Sequence, residues 1–150
     1  MISLKVNKQS TLLAINVEGS IDEDASLPSL DFSGISHICF DFKELKLINS
    51  CGIRDWVNWL KAFPTSLKIE YTQCPPILID QINMISGLLP QGGIVSSFYV
   101  PYFSEKEDDV VLQLFNKGQE VPEEISLPSG ETVELDVIPE KYFKFLKQAA

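Results

Sequence analysis

A hydroxyl and a thiol stand side by side at Ser50 and Cys51, where an apolar run gives way to a helical pattern. Asn49 precedes this pair and Gly52 follows it. The serine could accept a phosphate, and the cysteine could act as a nucleophile. Alternatively, Asn49 or Ser50 could cap the helix, because both side-chain oxygens accept hydrogen bonds from the free N–H groups of a first helical turn. The spacing alone leaves these chemistries open.

The elements on either side of this pair are predicted from the periodicity of apolar residues. Ile35–Phe42 is an almost continuous apolar run, which is typical of a strand buried on both faces. Residues 50–63 have helical spacing, with Ile53 and Trp56 on the apolar side, and Pro64 ends the pattern. The pair therefore lies at a junction between a strand and a helix.

The first 95 residues are predicted to form one α/β domain. Their other elements are, in order, a strand pair over 3–20 that turns at Asn7–Ser10 and ends at Gly19, a loop over 21–34, a strand over 66–72 and a helix opening at Pro75-Pro76. Short helices between strands imply a mixed sheet with helices packed on it.

Residues 96–150 are predicted to form a small β-rich extension with a terminal helix. Extended runs cover 92–105 and 108–115, residues 131–138 alternate strictly, and residues 138–150 have the pattern of a short helix. The domain boundary is therefore placed between residues 95 and 96.

The composition excludes several classes of function. The net charge is −9, from 21 acidic and 12 basic residues, and Arg54 is the one arginine. Nucleic acids and anionic membranes are bound through clustered Lys and Arg, so neither partner is expected, and no run is apolar enough to insert into a membrane. The charge favours a basic protein partner.

The cysteine and histidine content argues against a metal or a cofactor. Cys39, Cys51 and Cys74 are odd in number and form no Cys-x-x-Cys pair, and His37 is the one histidine. This predicts neither a disulfide framework nor a zinc site. Reduced thiols and an amino-terminus without a secretory apolar region favour a cytoplasmic protein.

Two sequence segments resemble the STAS domain, the domain of anti-sigma factor antagonists. The segment Asn49-Ser50-Cys51-Gly52-Ile53 is similar to the Asp-Ser-Ser-Gly-Leu motif of that family, and Asp41 is similar to the acidic residue that ends the preceding buried strand. Upstream, "VEGSID" is similar to a Gly-x-Leu/Ile-Asp motif and places Gly19 and Asp22 in it. The resemblance covers residues 1–95.

The resemblance implies a regulatory site at Ser50. In the antagonist branch, the serine after the first motif residue is phosphorylated by a partner anti-sigma factor kinase, and the unphosphorylated form binds that partner. This chain departs from the motif at Asn49 and Cys51, which replace Asp and Ser. The tail is similar to a zinc-ribbon-like extension that follows some STAS domains, but it contains no cysteine, so it must be held by packing.

Each candidate residue also has a structural interpretation. Cys51 could simply pack the turn, and a nucleophile would need a base and an oxyanion site. Asp22, Asp24 and Asp41 could gather around a divalent ion, although solvated loop carboxylates are the simpler interpretation. Trp59 could anchor a partner, since interfaces favour Trp, or pack against the carboxyl-terminal extension.

The leading hypothesis is a non-enzymatic regulatory or adaptor protein. It would bind a protein partner such as an anti-sigma factor kinase, with phosphorylation of Ser50 as its switch. The proposed contact residues are Asp22, Asn49, Ser50, Cys51, Gly52 and Trp59. The alternatives are a structural STAS subunit that binds the ATPase of a lipid transporter, and a less favoured enzyme that uses Cys51. A homodimer is left open.

Overall fold

The computed structural model describes residues 2–148 of the chain. They form ten strands and four helices arranged around two sheets. In chain order the elements are β1 Ser3–Gln9, β2 Leu12–Ile21, β3 His37–Asp41, β4 Leu45–Ile48, α1 Ser50–Lys61, β5 Lys68–Thr72, α2 Pro76–Met84, β6 Ile94–Val95, β7 Ser97–Ser104, β8 Asp109–Asn116, β9 Glu124–Ser126, β10 Thr132–Leu135, α3 Pro139–Tyr142 and α4 Phe145–Gln148.

The larger sheet is mixed and confirms the α/β class expected from the sequence. Its order is β1-β2-β3-β5-β6, with β1 antiparallel to β2 and the other neighbours parallel. Strand β4, which the periodicity did not separate from the turn, pairs in parallel with the end of β2. The prediction that the second strand ends at Gly19 is wrong, because β2 continues to Ile21. Its register against β4 shifts between Gly19 and Ser20.

Helix α1 covers one face of this sheet, where Trp56 packs against Phe40 of β3. Ile38 and Phe40 of β3 are buried, whereas His37, Cys39 and Asp41 alternate with these residues and are only half-buried. The prediction that this strand is buried on both faces is therefore wrong. The run looked continuously apolar because Cys39 lies on the open face, where a small, weakly polar side chain is tolerated.

An aromatic cluster fixes α1 on the covered face. The ring of Trp56 packs against Phe40 and Phe42, with centroids 5.1 and 5.7 Å away. Its Nε1 donates a hydrogen bond of 3.0 Å to the hydroxyl of Tyr71, which donates one of 2.7 Å to the carbonyl of Leu88. Because these polar atoms are buried, both hydrogen bonds restrict how α1 can pack on the sheet.

The smaller sheet follows directly and has the order β8-β7-β10-β9. It shares a core with the first sheet, since Phe98 of β7 belongs to the same cluster of buried side chains and forms a bridge with Cys74, just after β5. The expected terminal helix is two short helices, α3 and α4, broken at Phe143-Lys144. The residues predicted to continue it, Ala149 and Ala150, lie outside the described residues.

Within residues 2–148, no helix is long and apolar enough to cross a lipid bilayer.

Candidate functional site

The turn between β4 and α1 is built by hydrogen bonds of Asn49. The end of β4 pairs with the end of β2, and the Asn49 N–H donates to the carbonyl of Ile21 at 3.0 Å. Asn49 is still extended, and its Oδ1 accepts a hydrogen bond of 3.0 Å from the Gly52 N–H. Asn49 is therefore the N-cap residue, one of the two candidates that the sequence offered, and Ser50 is the first residue of α1.

Gly52 lets α1 lie directly against the end of β2. A Cβ atom at this position would overlap the backbone carbonyl of Ile21 and approach the N–H of Asp22. No other residue type fits this contact without displacing the backbone. The close approach of the α1 and β2 backbones thus requires glycine at this position. This contact fixes where Ser50 and Cys51 lie relative to the sheet.

The loop after β2 contacts this turn through Glu23. The Asn49 Nδ2 donates a hydrogen bond of 2.7 Å to Glu23 Oε2, and this bond is the main reason that the pKa of Glu23 lies below its ordinary value. Asp22 shapes the loop, because its Oδ1 accepts from the Asp24 N–H at 3.0 Å. The structure therefore brings Asp22 next to the Asn49–Gly52 turn, although they are separated by some 27 positions in the chain.

Ser50 and Cys51 are both exposed on the outside of the turn. Beside them Leu47, on β4, has 51% of its surface exposed. The first turn of α1 contains no acidic residue, so the partial positive charge of the helix end is not neutralised from within the helix. We define the Ser50 surface as Leu47, Asn49, Ser50, Cys51 and Glu23.

Sequence reasoning missed both Leu47 and Glu23 as parts of this surface. Leu47 lies in the segment "LKLI", where strict alternation would place it on the buried side with Leu45, but the irregular pairing of β4 with β2 buries Leu45 and Ile48 and exposes Leu47. Glu23 belongs to an acidic loop whose position follows from the tertiary fold. No local signal predicts the exposed leucine, because its exposure depends on the register shift between β4 and β2.

Trp59 is tied into the protein rather than free at the surface. It is half-buried, its ring packs against Trp56 and Phe63 with centroids 5.1 and 5.0 Å away, and its Nε1 donates a hydrogen bond of 2.8 Å to the carbonyl of Pro28. Its packing partners are thus the loop over 21–34 and the aromatic cluster, not the carboxyl-terminal extension as the sequence suggested. We leave Trp59 out of the Ser50 surface.

Asp41 belongs to a different polar group. Its Oδ2 accepts a hydrogen bond of 2.8 Å from Gln73 Nε2, and Gln73 Oε1 in turn accepts one of 3.1 Å from the Tyr99 hydroxyl. Within residues 2–148, no hydrogen bond joins Asp41 to the Asn49–Gly52 turn. Asp41 instead connects β3 to the start of the second sheet, and with Asp22 and Asp24 it forms no metal-binding group within the described part of the chain.

The thiols and the histidine are dispersed. His37 Nε2 lies 3.0 Å from Glu70 Oε1 on the open face of the sheet, and within residues 2–148 the exposed Cys51 thiol has no hydrogen bond to a basic side chain. Burial, together with the nearby carboxylates of Glu70 and Asp41, raises the pKa of the Cys39 thiol to about 12. The arrangement therefore offers a nucleophile at Cys51 without the base that would activate it.

No protein-family model matches the chain, and no curated protein matches it.

Proposed function

We propose that this protein is a non-enzymatic regulatory or adaptor protein that binds a protein partner through the Ser50 surface. The observation that supports this most is the exposure of Ser50 at the start of a helix whose position is fixed by Gly52 and Asn49. A rigid, exposed turn loses little conformational freedom when it is bound. Leu47 supplies an apolar contact next to it.

Phosphorylation of Ser50 is the switch that this arrangement supports. A phosphate there would add about −1.5 to −2 charge at the centre of the Ser50 surface. It would also lie near the exposed N-terminus of α1, which favours an anion, and near Glu23, which opposes one. This is the cycle that the resemblance to STAS domains implies, and we propose that Asn49, in place of the motif Asp, leaves the serine available to a kinase.

The partner should carry positive charge around an apolar pocket for Leu47. The chain has a net charge of −9, and acidic residues follow β2 directly at Asp22, Glu23 and Asp24. Complementary charge raises the rate of association and selects the partner. A phosphate at Ser50 would weaken binding by placing a hydrated, charged group against the apolar pocket that takes Leu47, and an aspartate at this position would do the same on a smaller scale.

Site-specific photocrosslinking tests the proposal. A photoreactive amino acid at Leu47 is expected to capture one partner in cells that make this protein, and the same residue at Ser66, exposed beyond the far end of α1, serves as the control. Binding of the purified partner to Ser50→Asp should weaken by about tenfold, whereas Ser50→Ala should bind normally. Mass spectrometry of the protein from these cells should find phosphate on Ser50.

Two results would contradict the proposal. One is identical crosslinked products from Leu47 and Ser66, which would mean that the Ser50 surface has no preferred partner. The other is equal binding by Ser50→Asp and Ser50→Ala, with no phosphate found on Ser50, which would remove the switch.

A further inference from the structure

Strand β8 is an open edge of the smaller sheet. It pairs with β7 on one side and ends the sheet on the other. Three apolar side chains on one face, Val110, Leu112 and Leu114, have 41, 47 and 36% of their surfaces exposed. From Val110 to Phe115 the strand carries no charged residue, no proline and no glycine. Edge strands usually have one of these features, or a bulge, which prevents pairing with another chain.

The other long edge strand, β1, shows that protection. Its sequence, "SLKVNKQ", places Lys5 and Lys8 in the strand, and both are exposed or engaged locally: Lys5 lies 3.3 Å from Glu18, and Lys8 donates to the carbonyl of Ser33. Charged lysines on an edge oppose pairing with a second strand. Strand β1 is therefore protected against pairing with another strand, whereas β8 is not.

The pairing of β8 with β7 determines which backbone groups of β8 face outward. The Lys117 N–H donates to the carbonyl of Ser96, and Leu112 lies opposite Pro101, which has no N–H to give. In an antiparallel pair, bonded and non-bonded positions alternate, so the backbone groups of Val110, Leu112, Leu114 and Asn116 point away from β7.

Side chains close both ends of this row. The Val110 N–H donates to Asp109 Oδ1 at 2.7 Å, and the Asn116 N–H donates to Gln119 Oε1 at 3.0 Å. Leu112 and Leu114 lie between these closed ends. Their outward N–H and C=O groups are therefore left for a further strand to bind, and they lie on either side of Gln113.

We propose that β8 pairs with β8 of a second copy of this chain, antiparallel and with Gln113 on the two-fold axis. In that register Leu112 faces Leu114 of the other copy, and the reverse holds by symmetry. Each of these two pairs exchanges two backbone hydrogen bonds, which uses the outward N–H and C=O groups of Leu112 and Leu114 in both strands. The interface is isologous, so one surface serves both copies.

The side chains fit the same register. Leu112 and Leu114 from both copies join into one apolar stripe, next to the half-buried Tyr99 and Phe103 of β7. Asp109 lies opposite Lys117 of the other copy, so an acidic and a basic residue meet at each end. This charge complementarity favours a second copy, because an unrelated strand would have to reproduce the same spacing of charges. The net charge of −9 opposes association at long range, and about 0.15 M salt largely screens that repulsion.

A disulfide crosslink tests the register directly. At Gln113 the two strands would form a non-hydrogen-bonded pair, in which the Cα atoms of the two Gln113 residues lie about 4.5 Å apart. A disulfide can span this separation. In a Cys51→Ser background, Gln113→Cys should therefore form a covalent dimer under mild oxidation. The matched control is Asn7→Cys, exposed on the protected edge β1, which should remain monomeric.

Association without a crosslink gives the second measurement. The unmodified chain is expected to shift from monomer to dimer with concentration in analytical ultracentrifugation at about 0.15 M salt. Lys117→Glu places like charges opposite each other and should raise the dissociation constant by about tenfold, whereas Lys117→Arg, which keeps the positive charge, should leave it unchanged.

A chain that stays monomeric at every concentration, or a dimer that ignores Lys117→Glu and gives no crosslink at Gln113, would overturn the proposal. In the monomeric case, the edge would be left to a strand of another protein. Neither measurement involves Ser50, so the outcome is independent of the proposed phosphorylation switch.

Discussion

The Ser50 surface and the β8 edge are both exposed, but different features of the sequence hold them in place. The Ser50 surface depends on individual residues: Gly52 allows α1 to touch the end of β2, and Asn49 caps the helix. The β8 edge depends on a repeated pattern of apolar residues in a regular strand. A site of the first kind should be lost through one substitution, whereas a site of the second kind should tolerate conservative changes in the folded monomer.

Gly52→Ala is expected to have the largest effect. Alanine normally stabilises a helix by about 1 kcal/mol relative to glycine, but here its Cβ would overlap the Ile21 carbonyl. We expect the overlap to dominate and to destabilise the protein by about 3 kcal/mol, as measured by urea unfolding. The sign of the change is therefore the decisive observation.

A matched change on the β8 edge sharpens the contrast. Leu114→Thr keeps a good strand former at an exposed position, so the stability of the monomer should change by less than about 0.5 kcal/mol. If Gly52→Ala stabilised the protein, or if Leu114→Thr cost as much as Gly52→Ala, the distinction between the two regions would fail.

Asn49→Ala is expected to have a smaller effect on the same turn. It removes the acceptor for the Gly52 N–H and should cost about 1 kcal/mol in urea unfolding. Asn49→Ser is the control, because serine keeps a capping oxygen but is too short to replace the amide that reaches Glu23. A cost for Asn49→Ser equal to that for Asn49→Ala would show that the contact with Glu23, rather than the cap, stabilises the turn.

The contrast also explains which features could be read from the sequence. The strand-to-helix junction, the N-cap at Asn49 or Ser50 and the helix stop near Pro64 rest on local chemistry, and the structure contains them with small shifts in the ends. The openness of β8 could not be read in this way. Its sequence, "DVVLQLFN", has apolar residues on both faces, so which face is buried depends on its pairing with β7.

Long-range contacts account for the other differences. Trp59 looked like an anchor because its helical position is marginal, but the loop over 21–34 returns to it and accepts its N–H at Pro28. Similarly, the sequence places Asp41 and Asp22 at strand ends that could meet, whereas in the structure Gln73 hydrogen-bonds Asp41 toward the second sheet. In each case the partner is distant in the chain and has no local signal.

The pH dependence of Glu23 is the smallest of the expected effects and the most direct report on the turn. The hydrogen bond from the Asn49 side chain holds the pKa of Glu23 below its ordinary value of 4.5. A carboxyl with a lowered folded pKa stabilises the protein fully above the ordinary value, and this stabilisation is lost as the pH falls through the lowered one. In Asn49→Ala, NMR titration should show the pKa of Glu23 rising toward 4.5.

The pKa of Asp31, which hydrogen bonds from Ser33 lower, should stay unchanged as the internal control. An unaltered titration of Glu23 would mean that Asn49 does not hold the loop, so that the Ser50 surface would lose the part contributed by the segment after β2.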